Sequence, residues 1–417
     1  MRVLHVNNAD LVGRRFSGFD LLTDHASRGV HATQAVLIKL RASPDVVSLV
    51  EGPEDDAFNT ALQEVELQHG MNNILYPWGR RLCELEEFES ADLVHYHLIH
   101  NRMISLLDLP DLTQRKPSVW TFHDPWPLTG HCIQPMDCEG WLSGCQPCPH
   151  LDWHFAVAVD RAGSMWRVKE QVYPQLDIDV VVASRFMMDM MARSPLGKLI
   201  ERVHLIPFGV RTEYFLSDDE QENSRRRLGI PRDHYVLFFR AESWEVKGLD
   251  KLIDALEMYP PSRPTTLLAV GTRGLLGRLR SHYNIVELGW VNDEELYPRL
   301  FSASDVFVMP SLAESFGLMA LESMAAGRPV ISFEGTPLPE ITGAPECGIA
   351  VARGDSRALR VAIDSLAEDP EQRRRRGALA RSLAQTEFSL DRYLDRLARL
   401  YEDVLNRRRG LRIPQSR

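Results

Sequence analysis

The feature that most restricts this chain is a repeated alternation of short, continuously apolar runs with stretches of helical periodicity. The runs cover residues 3–7, 35–40, 92–98, 118–123, 180–184 and 203–207 in the first half. In the second half they cover 235–240, 265–271, 284–291, 305–310 and 329–333. A strand with one wetted face alternates apolar and polar residues, whereas one buried on both faces does not. These runs therefore belong inside parallel sheets, with segments such as 249–258, 318–326 and 357–366 as helices between them. The pattern predicts an α/β fold built from doubly wound, Rossmann-like sheets.

Eleven strands are too many for one ordinary sheet, and 417 residues exceed what one core usually serves. Two sheets of five or six strands each are expected. The break falls at the turn-rich Pro207-Phe208-Gly209-Val210-Arg211, before the charged stretch 217–227. This predicts one domain over 1–208 and a second over 209–388. A closing helix over 389–409 carries an apolar stripe of Leu390, Tyr393, Leu394, Leu397, Leu400, Tyr401 and Val404, which needs a partner to pack on. A basic tail, 410–417, follows.

Composition enters where it excludes functions. With 44% hydrophobic and 25% charged residues the chain is globular rather than disordered. A net charge of −10 argues against general nucleic-acid binding, which depends on Lys and Arg meeting phosphate. No apolar stretch approaches the roughly 20 residues of a membrane helix. The brief apolar start before Asn7 and Asn8 reads as a strand rather than a signal peptide, so a cytoplasmic protein is expected. A homodimer is compatible with the sequence. Residues 1–200 hold 17 Lys+Arg against 26 Asp+Glu, so most of the acidity lies in the first domain.

The strongest chemical signal is Pro310-Ser311-Leu312-Ala313-Glu314-Ser315-Phe316-Gly317-Leu318-Met319-Ala320-Leu321-Glu322, placed after a buried strand and opening a helix. Glu314 and Glu322 alone would suit two solvated acids at a helix start. With Glu314 in the loop, both can instead border one ligand. The amides of Phe316, Gly317 and Leu318 then point out of the helix start, an arrangement that suits a phosphate or diphosphate.

Together with Ala183-Ser184-Arg185-Phe186, Ile206-Pro207-Phe208-Gly209-Val210, Lys247-Gly248 and Leu288-Gly289-Trp290-Val291, the stretch 305–355 resembles the donor-binding half of a retaining glycosyltransferase of the GT-B fold, family 4. The resemblance implies two Rossmann-like domains facing a central cleft, with the last helix crossing back onto the first. It implies a nucleotide-diphosphate sugar, UDP- or GDP-linked, as donor, a small molecule or glycan precursor as acceptor, and no catalytic metal. It assigns Glu314 to the donor sugar, Glu322 to the ribose, and Lys247 to the diphosphate with Arg240 as a second cation. A GT-B sugar-nucleotide 2-epimerase and a non-catalytic sugar-nucleotide binder remain open alternatives at this level.

In the first half, the loop after the first strand carries Gly13 and Gly18, which can admit a phosphate or sugar close to the backbone. Gly13 stands where the family has a glycine pair. His123, at a strand end in Thr121-Phe122-His123-Asp124, corresponds to the family histidine that contacts the donor sugar; the alternative is a structural histidine held by Asp124. His95, His97 and His100 lie nearby, and a cleft-lining or packing role is expected because no third ligand is evident at metal spacing. Asp177-Ile178-Asp179 spells a metal-binding DxD but precedes a buried run, so strand-entry acids are expected. Cys132, Cys138, Cys145 and Cys148 share one loop, 131–150, with a zinc-knuckle spacing at the last pair, and predict a structural zinc. That window holds Asp137 and Glu139 and no Lys or Arg, which argues against a nucleic-acid module.

Overall fold

The computed structural model describes residues 1–11, 17–153, 155–215 and 219–410. It divides into two compact units. The first runs to Pro207 and takes in the chain again from Tyr393; the second spans Phe208–Arg392.

The first unit holds a seven-stranded sheet: β1 (Arg2–Ala9), β2 (His31–Ile38), β3 (Val46–Ser48), β4 (Leu93–Tyr96), β5 (Ser118–Phe122), β6 (Asp179–Val182) and β7 (Val203–Leu205). Their order is β3-β2-β1-β4-β5-β6-β7, and every pairing is parallel. The second unit holds six strands: β8 (Tyr235–Ala241), β9 (Thr265–Gly271), β10 (Asn284–Glu287), β11 (Val306–Met309), β12 (Val330–Phe333) and β13 (Ile349–Val351). Their order is β10-β9-β8-β11-β12-β13, again all parallel. These are doubly wound Rossmann-like sheets.

Each of the eleven apolar runs contains a strand, but the expectation of five or six strands per sheet is corrected to seven and six. The two extra strands, β3 and β13, are three residues long and lie on sheet edges. An edge strand has one neighbour and needs no sustained apolar run, so it leaves little trace in hydrophobicity.

Strands β4, β5 and β6 are buried at every position, as their unbroken apolar runs require. The last helix, Leu390–Arg408, buries its whole predicted stripe. Within the first unit it is tied down at three points. The Tyr401 hydroxyl lies 2.6 Å from His95 Nδ1. Arg407 reaches the Asp179 carboxylate at 2.5 Å, and Asp395 pairs with Arg28 at 3.0 Å. No helix among the described residues is long and apolar enough to cross a membrane.

Candidate active site

In the second unit two loops at the carboxyl ends of adjacent strands are stitched together. After β8 the chain makes a short 3₁₀ turn, Glu245–Lys247, and Gly248 turns it into helix Leu249–Glu257. Gly248 has φ of +63°, and a Cβ there would sit 1.9 Å from the Pro310 carbonyl oxygen. Both facts require glycine, and its use lets the loop after β8 touch the loop after β11. The Leu312 N–H then donates to the Val246 carbonyl at 2.8 Å.

That contact seats Lys247 against Glu314. The Lys247 ammonium donates to Glu314 Oε1 at 2.7 Å, and the Ser311 hydroxyl donates to the same oxygen at 3.1 Å. Their side chains are 20% and 13% exposed, so the pair is shielded yet reachable. Ser311 was not singled out from sequence; its position three residues before Glu314 was the available signal.

Glu314 lies in the loop ahead of helix Leu318–Ala325, as expected. Gly317 precedes the helix with φ of +105° and no side-chain cap. A Cβ on Gly317 would come within 2.4 Å of Leu338 Cδ2. First-turn amides have no partner within their own helix, so this start presents donors and the positive end of the helix dipole. Phe316 is buried, with its ring edge-on to Phe208 at 5.0 Å, so its side chain anchors the loop. Glu322 is only 2% exposed and accepts a 2.6 Å hydrogen bond from the Tyr297 hydroxyl. Tyr297 sits 25 residues earlier on helix Leu296–Ala303, and nothing in local spacing points to it. Arg240 has partners of its own: it pairs with Glu242 at 2.9 Å and lies over the Trp290 ring at 4.7 Å.

In the first unit His123 follows β5 and is part of a histidine cluster. Its Nε2 lies 3.0 Å from His97 Nδ1, and His97 Nε2 lies 2.9 Å from His5 Nδ1. His95 lies against His97 with ring centroids 4.1 Å apart and the rings tilted by 32°; its nitrogens face Thr121 Oγ1 at 2.7 Å and the Tyr401 hydroxyl. Burial pulls His95, His97 and His5 well below the ordinary imidazole range and His123 down to about 3.

The absence of a third ligand beside His95 and His97 is thereby corrected. In the parallel register His5 of β1 lies opposite His95, and the three offer ligand atoms within 4.8 Å of one another. Spacing along the chain could not reveal this, because the third residue belongs to a different strand. Hydrogen bonds already engage both His95 nitrogens, which fits the packing role. The Asp124 carboxylate meets His100 Nε2 at 3.1 Å and accepts the Trp126 N–H at 2.9 Å.

The loop after His123 is braced by Lys169, which the sequence analysis does not single out. Its ammonium donates to the carbonyls of Trp126 (2.6 Å) and Thr129 (2.9 Å) and lies 3.6 Å from the Trp126 ring centroid. Burial lowers its pKa to about 7. Cys132, Cys138, Cys145 and Cys148 line one cavity in this loop. Backbone N–H groups of Gly130 and Gly140 donate to Cys145 Sγ (3.2 Å) and Cys138 Sγ (3.4 Å), and His131 Nε2 lies 3.3 Å from Cys148 Sγ. The four cysteines share a cavity, but the group of three close-set ligand atoms found among the described residues is His5, His95 and His97, and burial pushes the Cys132 and Cys145 thiols up to about 12 and about 11.

Asp177 and Asp179 are taken up by Arg202, Arg407, Arg408 and His204 at the entry to β6. Gly18 is buried at the start of helix Phe19–Asp24 in extended backbone. Gly13 lies outside the described residues, as does the basic tail beyond Gly410.

Residues 220–383, which contain Lys247, Glu314 and Glu322, match the family model described as glycosyl transferases group 1. That part of the chain is a glycosyl transferases group 1 domain, which makes the protein a transferase enzyme. The chain is 26% identical over 420 residues to D-inositol 3-phosphate glycosyltransferase of Corynebacterium jeikeium, covering 97% of this chain and 91% of that one. Four further relatives align over 51–59% of their own length. Among solved structures, the glycosyltransferase resembles sucrose-phosphate synthase of Thermosynechococcus elongatus (TM-score 0.67, 19% identity, 98% of this chain and 100% of that one). It also resembles Anabaena HepE in complex with UDP and glucose (TM-score 0.66, 17% identity, 97% and 100% covered). At these identities the likeness establishes the fold.

Proposed function

We propose that this glycosyltransferase is a retaining family-4 enzyme that moves a sugar from a nucleoside-diphosphate sugar to an acceptor hydroxyl. The observation that carries the reading is the Lys247–Glu314 pair, 2.7 Å apart, in the loops beside the helix start at Gly317. A cation and aligned amides stabilise negative charge as it develops on a departing diphosphate. In the proposed step the anomeric C–O bond to the diphosphate breaks as a new C–O bond to the acceptor forms on the same face. The acceptor proton passes to a leaving diphosphate oxygen, so no protein nucleophile is needed.

Lys247 and the Phe316, Gly317 and Leu318 amides hold the diphosphate; Glu314 orients Lys247 and meets the sugar. Glu322, set by Tyr297, takes the ribose, and His123 contacts the sugar. Arg240, Gly13 and Gly18 are assigned to the donor by resemblance alone. UDP is the favoured nucleotide over GDP, supported by the UDP bound in the Anabaena relative. The acidity of the first 200 residues favours a neutral or cationic acceptor over a polyanion. A cytoplasmic setting is supported by six free cysteines, which a reducing compartment maintains.

A thermal-shift panel of UDP, GDP, ADP and dTDP tests the donor: UDP should raise the melting temperature most, and no response to any would refute the reading. Glu314→Ala and Lys247→Ala should each lower turnover at least about 100-fold, as loss of a preorganised charge-stabilising group does, with melting temperature held within a few degrees. Near-normal transfer by both would exclude the assignment.

We also propose that Cys132, Cys138, Cys145 and Cys148 hold a structural zinc that shapes the loop after His123. Metal analysis of protein purified without chelator should give one zinc per chain, and the Cys145→Ser variant should lose it. Metal-free wild-type protein would exclude the site.

A further inference from the structure

Helix Ala162–Val172 buries Ala162, Met165, Trp166 and Val172, and with them one charged residue, Lys169. These positions recur every three or four residues, so Lys169 stands on the stripe that faces the core. A charged or polar head placed there is costly unless its donors are taken up. Tyr173, four residues on and therefore on the same face, is also buried.

What takes up both heads is the turn that follows His123. Lys169 donates to the Trp126 carbonyl at 2.6 Å and to the Thr129 carbonyl at 2.9 Å, and the Tyr173 hydroxyl donates to the Pro127 carbonyl at 2.6 Å. Two N–H groups suffice for the first two bonds, so the contact holds whether or not the amine carries its third proton. Three carbonyls from four consecutive residues thus end on two side chains one helical turn apart. Turn and helix also touch directly: a Cβ on Gly130 would lie 2.5 Å from the Ala162 carbonyl oxygen.

On its other side the same turn holds the acid next to His123. The Trp126 N–H donates to Asp124 at 2.9 Å, and the Trp126 ring stacks on His100 with centroids 4.6 Å apart. His100 Nε2 in turn meets the Asp124 carboxylate at 3.1 Å. Trp126 Nε1 donates to Asn72 as well. A shift of Trp126 therefore moves Asp124, and with it the backbone from which His123 projects. Misplacing a binding group by about 1 Å can cost about 100-fold in rate.

We infer that Lys169 and Tyr173 are positioning residues, which by binding the carbonyls of Trp126, Pro127 and Thr129 fix the turn that aims His123 at the donor sugar. Both are too deeply buried to meet the sugar themselves. The aim at the sugar rests on the role of His123 proposed above; the hold on the turn does not.

The test compares the full-length wild type with Lys169→Met, Lys169→Gln and Tyr173→Phe. Lys169→Met removes the donors, Lys169→Gln returns N–H groups near the same carbonyls, and Tyr173→Phe deletes one hydroxyl while keeping the ring. Tyr173→Phe, the mildest change, decides the matter should Lys169→Met fail to fold. Calorimetric Kd values for UDP and for UDP-glucose give the first readout. The wild type should bind UDP-glucose more tightly than UDP; Lys169→Met and Tyr173→Phe should narrow that ratio several-fold with the UDP Kd unchanged, and Lys169→Gln should restore most of it. General destabilisation would not narrow the ratio selectively. The second readout is ¹H–¹⁵N NMR of ring-labelled histidine, in which the His123 and His100 signals should move in both variants while that of His234, in the second unit, stays. Unmoved His123 and His100 signals overturn the inference, and so does an unchanged ratio in variants of a wild type that prefers UDP-glucose. If the signals move but the wild type binds UDP and UDP-glucose alike, the hold on the turn stands and the sugar-contact role of His123 falls.

Discussion

Single residues in this chain are tuned mainly by burial. His25 is fully buried, stacks on His5 with ring centroids 5.6 Å apart, and has no partner at either ring nitrogen among the described residues. Burial, reinforced by nearby Arg28, brings its pKa to about 4, below the ordinary 6.5. For a histidine with a depressed folded pKa, the stabilising neutral form is fully populated above the unfolded value. The contribution is lost as pH falls from about 6.5 toward 4, at up to about 1.4 kcal/mol per pH unit. His25→Leu, which removes the ionisable group and leaves no broken hydrogen bond, should flatten the acid limb of stability. Urea-unfolding midpoints at pH 7.5 and pH 5.0 check this: the wild type should lose clearly more between them. The residue types here were readable in advance, since eleven of fourteen histidines lie in the first 200 residues. Their grouping was not, because His5 and His97 are 92 positions apart and meet only through the β1–β4 pairing.

Among elements, the strand-to-helix junctions carry the chemistry, and glycine decides their geometry. Gly248→Ala would force a Cβ onto the Pro310 carbonyl in a left-handed conformation. The conformation alone costs about 1–2 kcal/mol for an L-residue, and the collision adds to it. The expected outcome is a lower melting temperature with a fall in turnover larger than the remaining folded fraction explains, because Lys247 and Glu314 part. Thermal melts paired with transfer rates measured well below the transition check it. The helix that opens at Leu318 was legible from an apolar run, a glycine and a helical period. Tyr297 was not, since its tie to Glu322 depends on how two helices of the second unit pack.

For the whole molecule, the chain returns to the first unit at its end. Leu394, Leu397 and Tyr401 are buried there, and full burial of such side chains is worth about 1.5–3 kcal/mol each. Their sum rivals the roughly 5–15 kcal/mol of a typical domain. A chain ended at residue 389 should therefore lose amide-exchange protection in β1, β4 and β6 while β8, β9 and β11 keep theirs; retained protection in β4 would show the helix dispensable. By itself the sequence determined the α/β class, the place of eleven strands, the existence of an unpartnered helical stripe and the glutamate–glycine motif. These follow from periodicity and local backbone rules, which act over a few residues. Only the tertiary structure decided the two short edge strands, the Lys247–Glu314 pair across 67 residues, the Tyr297–Glu322 bond and the histidine cluster. Those depend on strand order, register and the close approach of loops, and no short-range pattern encodes which distant side chains will share one place.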